Sequence, residues 1–253
     1  MNILLLPIFL YGLILGSFYN VVGLSVPINH SFTTRRSACP NCQKTLLAIE
    51  LIPVLSYLIQ GGKCCGCKAR ISPLYPIIEL LTGILFVIAF IVFGWQSELI
   101  VGLTLISLFM IITVSDLKYM LIPDKILLVF AGIFLIERIF IPLTPWWDSL
   151  LGSVIGFTLL LIIAIVSKGG MGGGDIKLFA LIGFVVGTKT MLLSFMLATF
   201  YGAFFGIIGL LFKLVKRGNP IPFGPFIAAG TLTAYFFYEE IIGWYLQFIT
   251  LGL

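Results

Sequence analysis

The 253-residue sequence is 60% apolar and only 10% charged, against about 25% charged in an ordinary soluble domain, and its mean hydropathy is +1.18. This composition excludes an ordinary soluble domain and specifies a polytopic membrane protein. The net charge of +5 reads as a signature of membrane topology, not of a nucleic-acid partner, because Lys and Arg resist translocation and collect in short cytoplasmic loops.

A membrane-spanning helix needs about 17 to 25 apolar residues. Such runs fall at about 2–26, 74–94, 98–115, 125–143, 149–167, 175–188, 190–214 and 225–251. The expected fold is therefore all-α, with about eight transmembrane helices embedded in the lipid bilayer. No basic residue precedes the first run, its apolar stretch is too long for a secretory signal, and no small-residue cleavage site follows, so it is expected to stay in the mature protein. The run at 175–188 has the shortest core, Ile176 to Gly187, and fits a half-buried or re-entrant segment as well as a full span. With the amino terminus outside, all of the fifteen Lys and Arg except Arg138 and Lys189 fall on the inner side. The chain then divides into a first transmembrane helix (1–27), a cytoplasmic loop domain (28–73) and a seven-helix membrane domain (74–253).

The loop domain holds all five cysteines and the single histidine, His30. Cys39-Pro40-Asn41-Cys42 and Cys64-Cys65-Gly66-Cys67 are two CxxC knuckles with 21 residues between them. Two intervening residues let both thiolates of a knuckle face one tetrahedral ion, and two knuckles complete a four-sulfur shell. The spacing predicts a zinc-ribbon-like site of Cys39, Cys42, Cys64 and Cys67, in a reducing compartment where stable disulfides are rare. A closed four-cysteine site leaves no position for water or substrate, so this Zn2+ is expected to be structural. Cys65 is left over as a free thiol, or as an alternative to Cys64. His30 reads as a solvated loop residue.

Of the ten acidic residues, three fall at inner helix ends. Asp116 closes the third run, Pro123 stops any helix before Asp124, and Asp175 follows the glycine-rich stretch Gly169-Gly170-Met171-Gly172-Gly173-Gly174. Two carboxylates held close cannot both ionise cheaply, so one keeps a proton and the other stays charged. The charged member can take a proton from water while the protonated one polarises a peptide carbonyl. Glycines such as Gly172 and Gly174 would let an extended substrate backbone approach. From the residues alone three readings stay open: a peptidase dyad, an ion or proton pathway, and Asp175 as a helix cap with Asp116 solvated beside Lys118. One histidine and no HExxH exclude zincin chemistry. Glu79 falls inside a predicted helix with no basic residue near it in sequence, which makes it a further candidate for substrate binding.

Together these residues resemble the type IV prepilin peptidases, membrane aspartic peptidases of the GxGD kind. Gly172-Gly173-Gly174-Asp175 supplies the GxGD motif, and Asp116 with Ile122-Pro123-Asp124 supplies the other aspartate segment. LGSFYNVV (Leu15–Val22), LIPVLSYL (Leu51–Leu58) and ISPLYPIIELLTG (Ile71–Gly83) are similar to family motifs in the family's order. The resemblance implies that Asp116 and Asp175 are the catalytic pair and that the substrates are prepilin-like or pseudopilin precursors, cut at the cytoplasmic face of the bacterial cell membrane. It further implies that the cysteine domain of bifunctional members methylates the new amino terminus from S-adenosylmethionine. The compact length and the GSFY variant look most like the competence-type enzymes of Gram-positive bacteria. Two departures fall in the methylating half: Gly23-Leu24-Ser25-Val26-Pro27 lacks the family's frequent arginine, and Glu50 precedes Leu51-Ile52-Pro53 where many members carry an aromatic and acidic stretch. An ion-coupled transporter using the same aspartates is the alternative function.

Overall fold

The computed structural model describes residues 2–29, 37–39, 41–168, 170–213 and 221–251. The sequence readings for His30, Arg35, Arg36, Gly169, Lys216 and Arg217 fall outside these residues. Among the described residues eight α-helices follow one another: α1 (Asn2–Ser25), α2 (Leu55–Ile59), α3 (Leu74–Phe93), α4 (Glu98–Tyr119), α5 (Asp124–Phe140), α6 (Asp148–Val166), α7 (Gly173–Leu211) and α8 (Gly224–Leu251). Apolar runs become helices because only a helix satisfies every backbone group within one segment when no water is present. Among the described residues the β features are two isolated antiparallel bridges, Ala38 with Thr45 and Lys63 with Arg70. Among the described residues, five helical stretches are long and apolar enough to cross a membrane: Ile3–Ile28, Leu74–Phe93, Glu98–Tyr119, Asp148–Val166 and Gly173–Leu211. The two predicted runs at 175–188 and 190–214 join in α7, one helical element of 39 residues interrupted at Gly187.

The chain forms two compact units, Met1–Lys118 and Tyr119–Leu253. In the first, α1 crosses α3 where small residues remove the bulk between them. A methyl group on Gly12 would lie 2.7 Å from the Gly83 Cα, and one on Gly16 2.8 Å from the Glu79 Cα. Such close approach lets van der Waals packing and interhelical hydrogen bonds hold helices together where the hydrophobic effect between them is lost. Asn20 of α1 adds a bond of this kind, donating its Nδ2 to the Tyr75 carbonyl at 3.1 Å.

In the second unit α7 packs on α5, α6 and α8. Its interruption at Gly187 (φ 79°, ψ 172°) uses a left-handed conformation that a residue with a Cβ rarely adopts. Breaking a helix orphans carbonyls on one side and amides on the other. The buried Arg138 of α5 serves the first side, donating Nε to the Val185 carbonyl at 2.7 Å. Asp148, the first residue of α6, serves the second: its carboxylate accepts from the Thr188 amide at 3.2 Å and the Thr188 hydroxyl at 2.7 Å. These two charged residues thus satisfy the backbone that the break exposes.

Candidate active site and metal centre

Asp175 stands at the third position of α7, whose N-cap is Gly172 (φ −70°, ψ 140°). Asp175 is therefore not the cap, although a carboxylate in the first turn interacts favourably with the positive end of the helix dipole. Its amide donates to the Gly172 carbonyl at 3.1 Å. The two fixed glycines of the GxGD motif each have a tight neighbour. A Cβ on Gly172 would lie 3.1 Å from the Asp175 Oδ2, and one on Gly174 2.8 Å from the Ile122 Cβ, whereas a Cβ on Gly173 would meet nothing within 4 Å. Gly172 thus leaves room for the carboxylate, and Gly174 lets Ile122-Pro123 lie against the start of α7.

A second tie holds the same segment. Lys177 Nζ donates to both oxygens of Asp124, at 2.8 and 2.7 Å. Sequence reasoning passed over Lys177 as a site residue. The available signal was its place near the start of α7, where a cation is unfavourable unless an acidic partner faces it.

Asp116 lies in the last turns of α4 and is only 6% exposed. One turn earlier, α1 comes against α4: a methyl on Gly23 would lie 2.8 Å from the Ile111 carbonyl oxygen and from the Val114 Cβ. Burying an ionisable group beside apolar side chains is expensive, and in membrane segments such groups are functional by default. Asp116 belongs to the first unit and Asp175 to the second.

The four cysteines predicted as ligands do come together. One sulfur from each of Cys39, Cys42, Cys64 and Cys67 lies within 4.8 Å of every other, with Cys39 to Cys67 at 3.8 Å and Cys42 to Cys64 at 3.9 Å. A tetrahedral ion with metal–sulfur bonds of about 2.3 Å requires sulfur–sulfur edges of about 3.8 Å. Both knuckles are built alike. The Cys39 amide donates to the Lys44 carbonyl and the Gln43 amide to Cys39, and the Cys64 amide donates to Ala69 and the Lys68 amide to Cys64. Gln43 and Lys68 take the matching left-handed positions, at φ 57° and 59°. The Ala69 amide and then the Asn41 side chain bring the Cys67 thiol down to about 6. Cys42, despite the Lys44 amide that favours its thiolate, is pushed up to about 11 by desolvation and the neighbouring sulfurs. Four thiolates at this spacing repel one another, and a divalent cation among them removes the conflict. Cys65 is exposed and outside this cluster.

Glu79 is buried in α3, and its Oε2 accepts the Val54 amide at 2.8 Å; the Ser17 side chain bonds the same carboxylate. Val54 needs that partner, because its φ of 62° is a strained setting for a β-branched residue. Glu79 also lines a cavity of about 640 Å3 that reaches from Ser17 of α1 and Tyr57 of α2 to Tyr75 of α3 and Lys118 of α4.

Comparison with known proteins decides the family. A model described as the bacterial peptidase A24 N-terminal domain matches residues 10–93, and the type IV leader peptidase family model matches residues 103–207. The chain is 45% identical over 240 residues to the prepilin leader peptidase/N-methyltransferase of Bacillus subtilis (strain 168), covering 95% of this chain and 97% of the relative. It is 34% identical over 269 residues to the protein of the same name from Pseudomonas aeruginosa, covering 94% and 92%. A third relative of that name, from Neisseria gonorrhoeae, is 30% identical over 243 residues, covering 85% and 84%. The chain belongs to the type IV leader peptidase family. The family's peptidase segment spans both Asp116 and Asp175, and the A24 N-terminal segment spans the four clustered cysteines and Glu79. No solved structure matches this member of the family.

Proposed function

We propose that the chain is a membrane aspartic endopeptidase that removes the leader from prepilin-like or pseudopilin precursors, with Asp116 and Asp175 as its catalytic pair. What carries the reading is that the peptidase segment shared with the relatives contains both aspartates, each at a helix end. Connectivity supports it. Ile122 follows Asp116 by six positions, a stretch that spans at most about 21 Å, and Ile122 lies against the residue before Asp175. In the reaction the ionised aspartate takes a proton from water as its oxygen attacks the scissile carbonyl. The protonated partner donates a hydrogen bond to that carbonyl oxygen and later supplies the proton to the leaving amine.

The enzyme lies in the bacterial cytoplasmic membrane, with the amino terminus outside and the aspartates facing the cytoplasm, as the distribution of Lys and Arg supports. Zinc bound by Cys39, Cys42, Cys64 and Cys67 would hold the fold of the loop domain, and four cysteine ligands would leave no position for water or substrate, so its role would be structural. The relatives' shared name, prepilin leader peptidase/N-methyltransferase, supports a second activity: methylation of the new amino terminus by S-adenosylmethionine. Nothing in the comparisons favours an ion-coupled transporter.

The test is to express Asp116→Asn and Asp175→Asn with a precursor and read the product's amino terminus by mass spectrometry. Each variant should insert normally and leave the leader in place. Full leader removal by either would sink the assignment.

A further inference from the structure

Neither Asp116 nor Asp175 lines the cavity of the first unit. Its volume of about 640 Å3 lies within the range of small-molecule sites, about 300 to 1,000 Å3. Charges of both signs line it, Glu50 and Glu79 on the acidic side and Arg70 and Lys118 on the basic, together with the rings of Tyr57 and Tyr75. A second cavity of about 690 Å3, among α5, α6 and α7, is walled mainly by Leu, Ala and Phe, and its charged lining is Asp124, bonded to Lys177, with Lys125. Of these two cavities, the first combines two carboxylates, two cations and two tyrosine rings, the set that suits a small, mixed-charge ligand.

We propose that the cavity bounded by Glu50, Tyr57, Arg70, Tyr75, Glu79 and Lys118 is the binding site for S-adenosylmethionine. The inference rests on the two-activity reading of the function. The donor carries a sulfonium, an ammonium, a carboxylate and an aromatic base. Carboxylates and tyrosine faces attract the cationic groups, and Arg70 and Lys118 suit the carboxylate. A basic leader peptide would gain from the two glutamates but be repelled by Arg70 and Lys118. Glu50 is held ionised: the Leu47 amide and then Lys44 keep its carboxyl below the usual range.

Position along α4 connects this site to the peptidase. Lys118 lines the cavity and follows Asp116 by two residues, about 3 Å of rise along the helix axis. An amine freed at Asp116 therefore begins within one helical turn of the cavity rim, and methylation needs no long transfer of the product. The lone pair of that amine forms the new N–C bond as the donor's C–S bond breaks. The sulfur leaves as a neutral thioether, and the nitrogen sheds a proton to water.

The test measures binding of S-adenosylmethionine to the purified, detergent-solubilised protein by calorimetry, alongside the product's amino terminus by mass spectrometry. Two variants are compared with the native chain: Ser56→Trp, which fills the cavity from α2, and Lys118→Glu at an exposed position, which reverses a rim charge. Both should weaken donor binding by about tenfold or more, as expected when a charged partner is lost, at an unchanged melting temperature, and should yield unmethylated product. Donor binding unchanged in both variants overturns the proposal, and tighter leader binding by Lys118→Glu would assign the cavity to the leader instead. If the native chain neither binds the donor nor methylates its product, the two-activity reading itself fails, and leader cleavage is unaffected by that result.

Discussion

Ile122 lies against Gly174 so closely that a methyl group on the glycine would come within 2.8 Å of the Ile122 Cβ. The contact fixes the segment leading into α5 against the turn that carries Asp175. Gly174→Ala must push that segment away, because the obstructing atom is a Cβ and not the end of a flexible chain. Leader cleavage should fall by about tenfold or more, since displacements of about 1 Å at a catalytic site cost up to about a hundredfold. Gly173→Ala meets nothing and, as an exposed substitution, should shift stability by no more than about 0.5 kcal/mol. Cleavage rates of the two variants on one precursor make the comparison; equal rates would show that the Ile122 contact is dispensable.

The Asp124–Lys177 pair is a second tie between the start of α5 and the start of α7. Its side chains are 68% and 54% exposed, and exposed ion pairs contribute only about 0 to 1 kcal/mol. Asp124→Asn and Lys177→Met should therefore each lower cleavage only a few-fold, far less than loss of Asp116 or Asp175. The double variant should be no worse than either single one, because both remove one interaction. Exchanging the charges, Asp124→Lys with Lys177→Asp, should recover part of the loss. Additive losses in the double variant would mean that the two residues act separately.

Much of this arrangement is legible in the sequence because its signals are chemical and local. CxxC spacing brings four sulfurs together whatever surrounds them, and long apolar runs have no alternative to helix in a bilayer. The contacts that position the aspartates are less accessible. Hydropathy counts Gly12, Gly16, Gly152 and Gly183 as neutral, yet α1 meets α3 through the first two, and α6 meets α7 through the others. The four-residue spacing of Gly12-x-x-x-Gly16 in α1, and of Gly152 with Gly156 in α6, was the available signal. Glu79 was legible as unusual but not as the acceptor for Val54, since that bond joins residues 25 positions apart. Lys177 and Arg138 likewise find partners that no local pattern announces.

The four-cysteine cluster predicts its own metal content. The purified protein should carry one zinc per chain by elemental analysis, and a strong chelator should remove it and lower the melting temperature, because binding and folding of such sites are coupled. Cys64→Ser removes a buried sulfur of the cluster and should abolish zinc retention. Cys65→Ser changes an exposed thiol outside it and should keep the full complement. Zinc loss from Cys65→Ser, with Cys64→Ser unaffected, would exchange the two ligands.

Arg138 predicts a cost in stability without a change in chemistry. Its guanidinium reaches two carbonyls, Val185 at 2.7 Å and Ile141 at 3.1 Å, and the first belongs to the interrupted turn before Gly187. Arg138→Met keeps the apolar stem but leaves the Val185 oxygen without this donor, in surroundings that offer no water. An unsatisfied buried polar group costs about 1 to 3 kcal/mol, which for a chain of this size corresponds to a melting temperature lower by about 3 to 8 °C. Arg138→Lys has a single point of donation and cannot span both carbonyls in the same fork, so it should fall between the two. Asp148→Asn keeps an acceptor for the Thr188 amide and should cost less than Asp148→Ala. If Arg138→Met melts with the native chain, the break at Gly187 is stabilised by other groups, and the charge of Arg138 needs a different explanation.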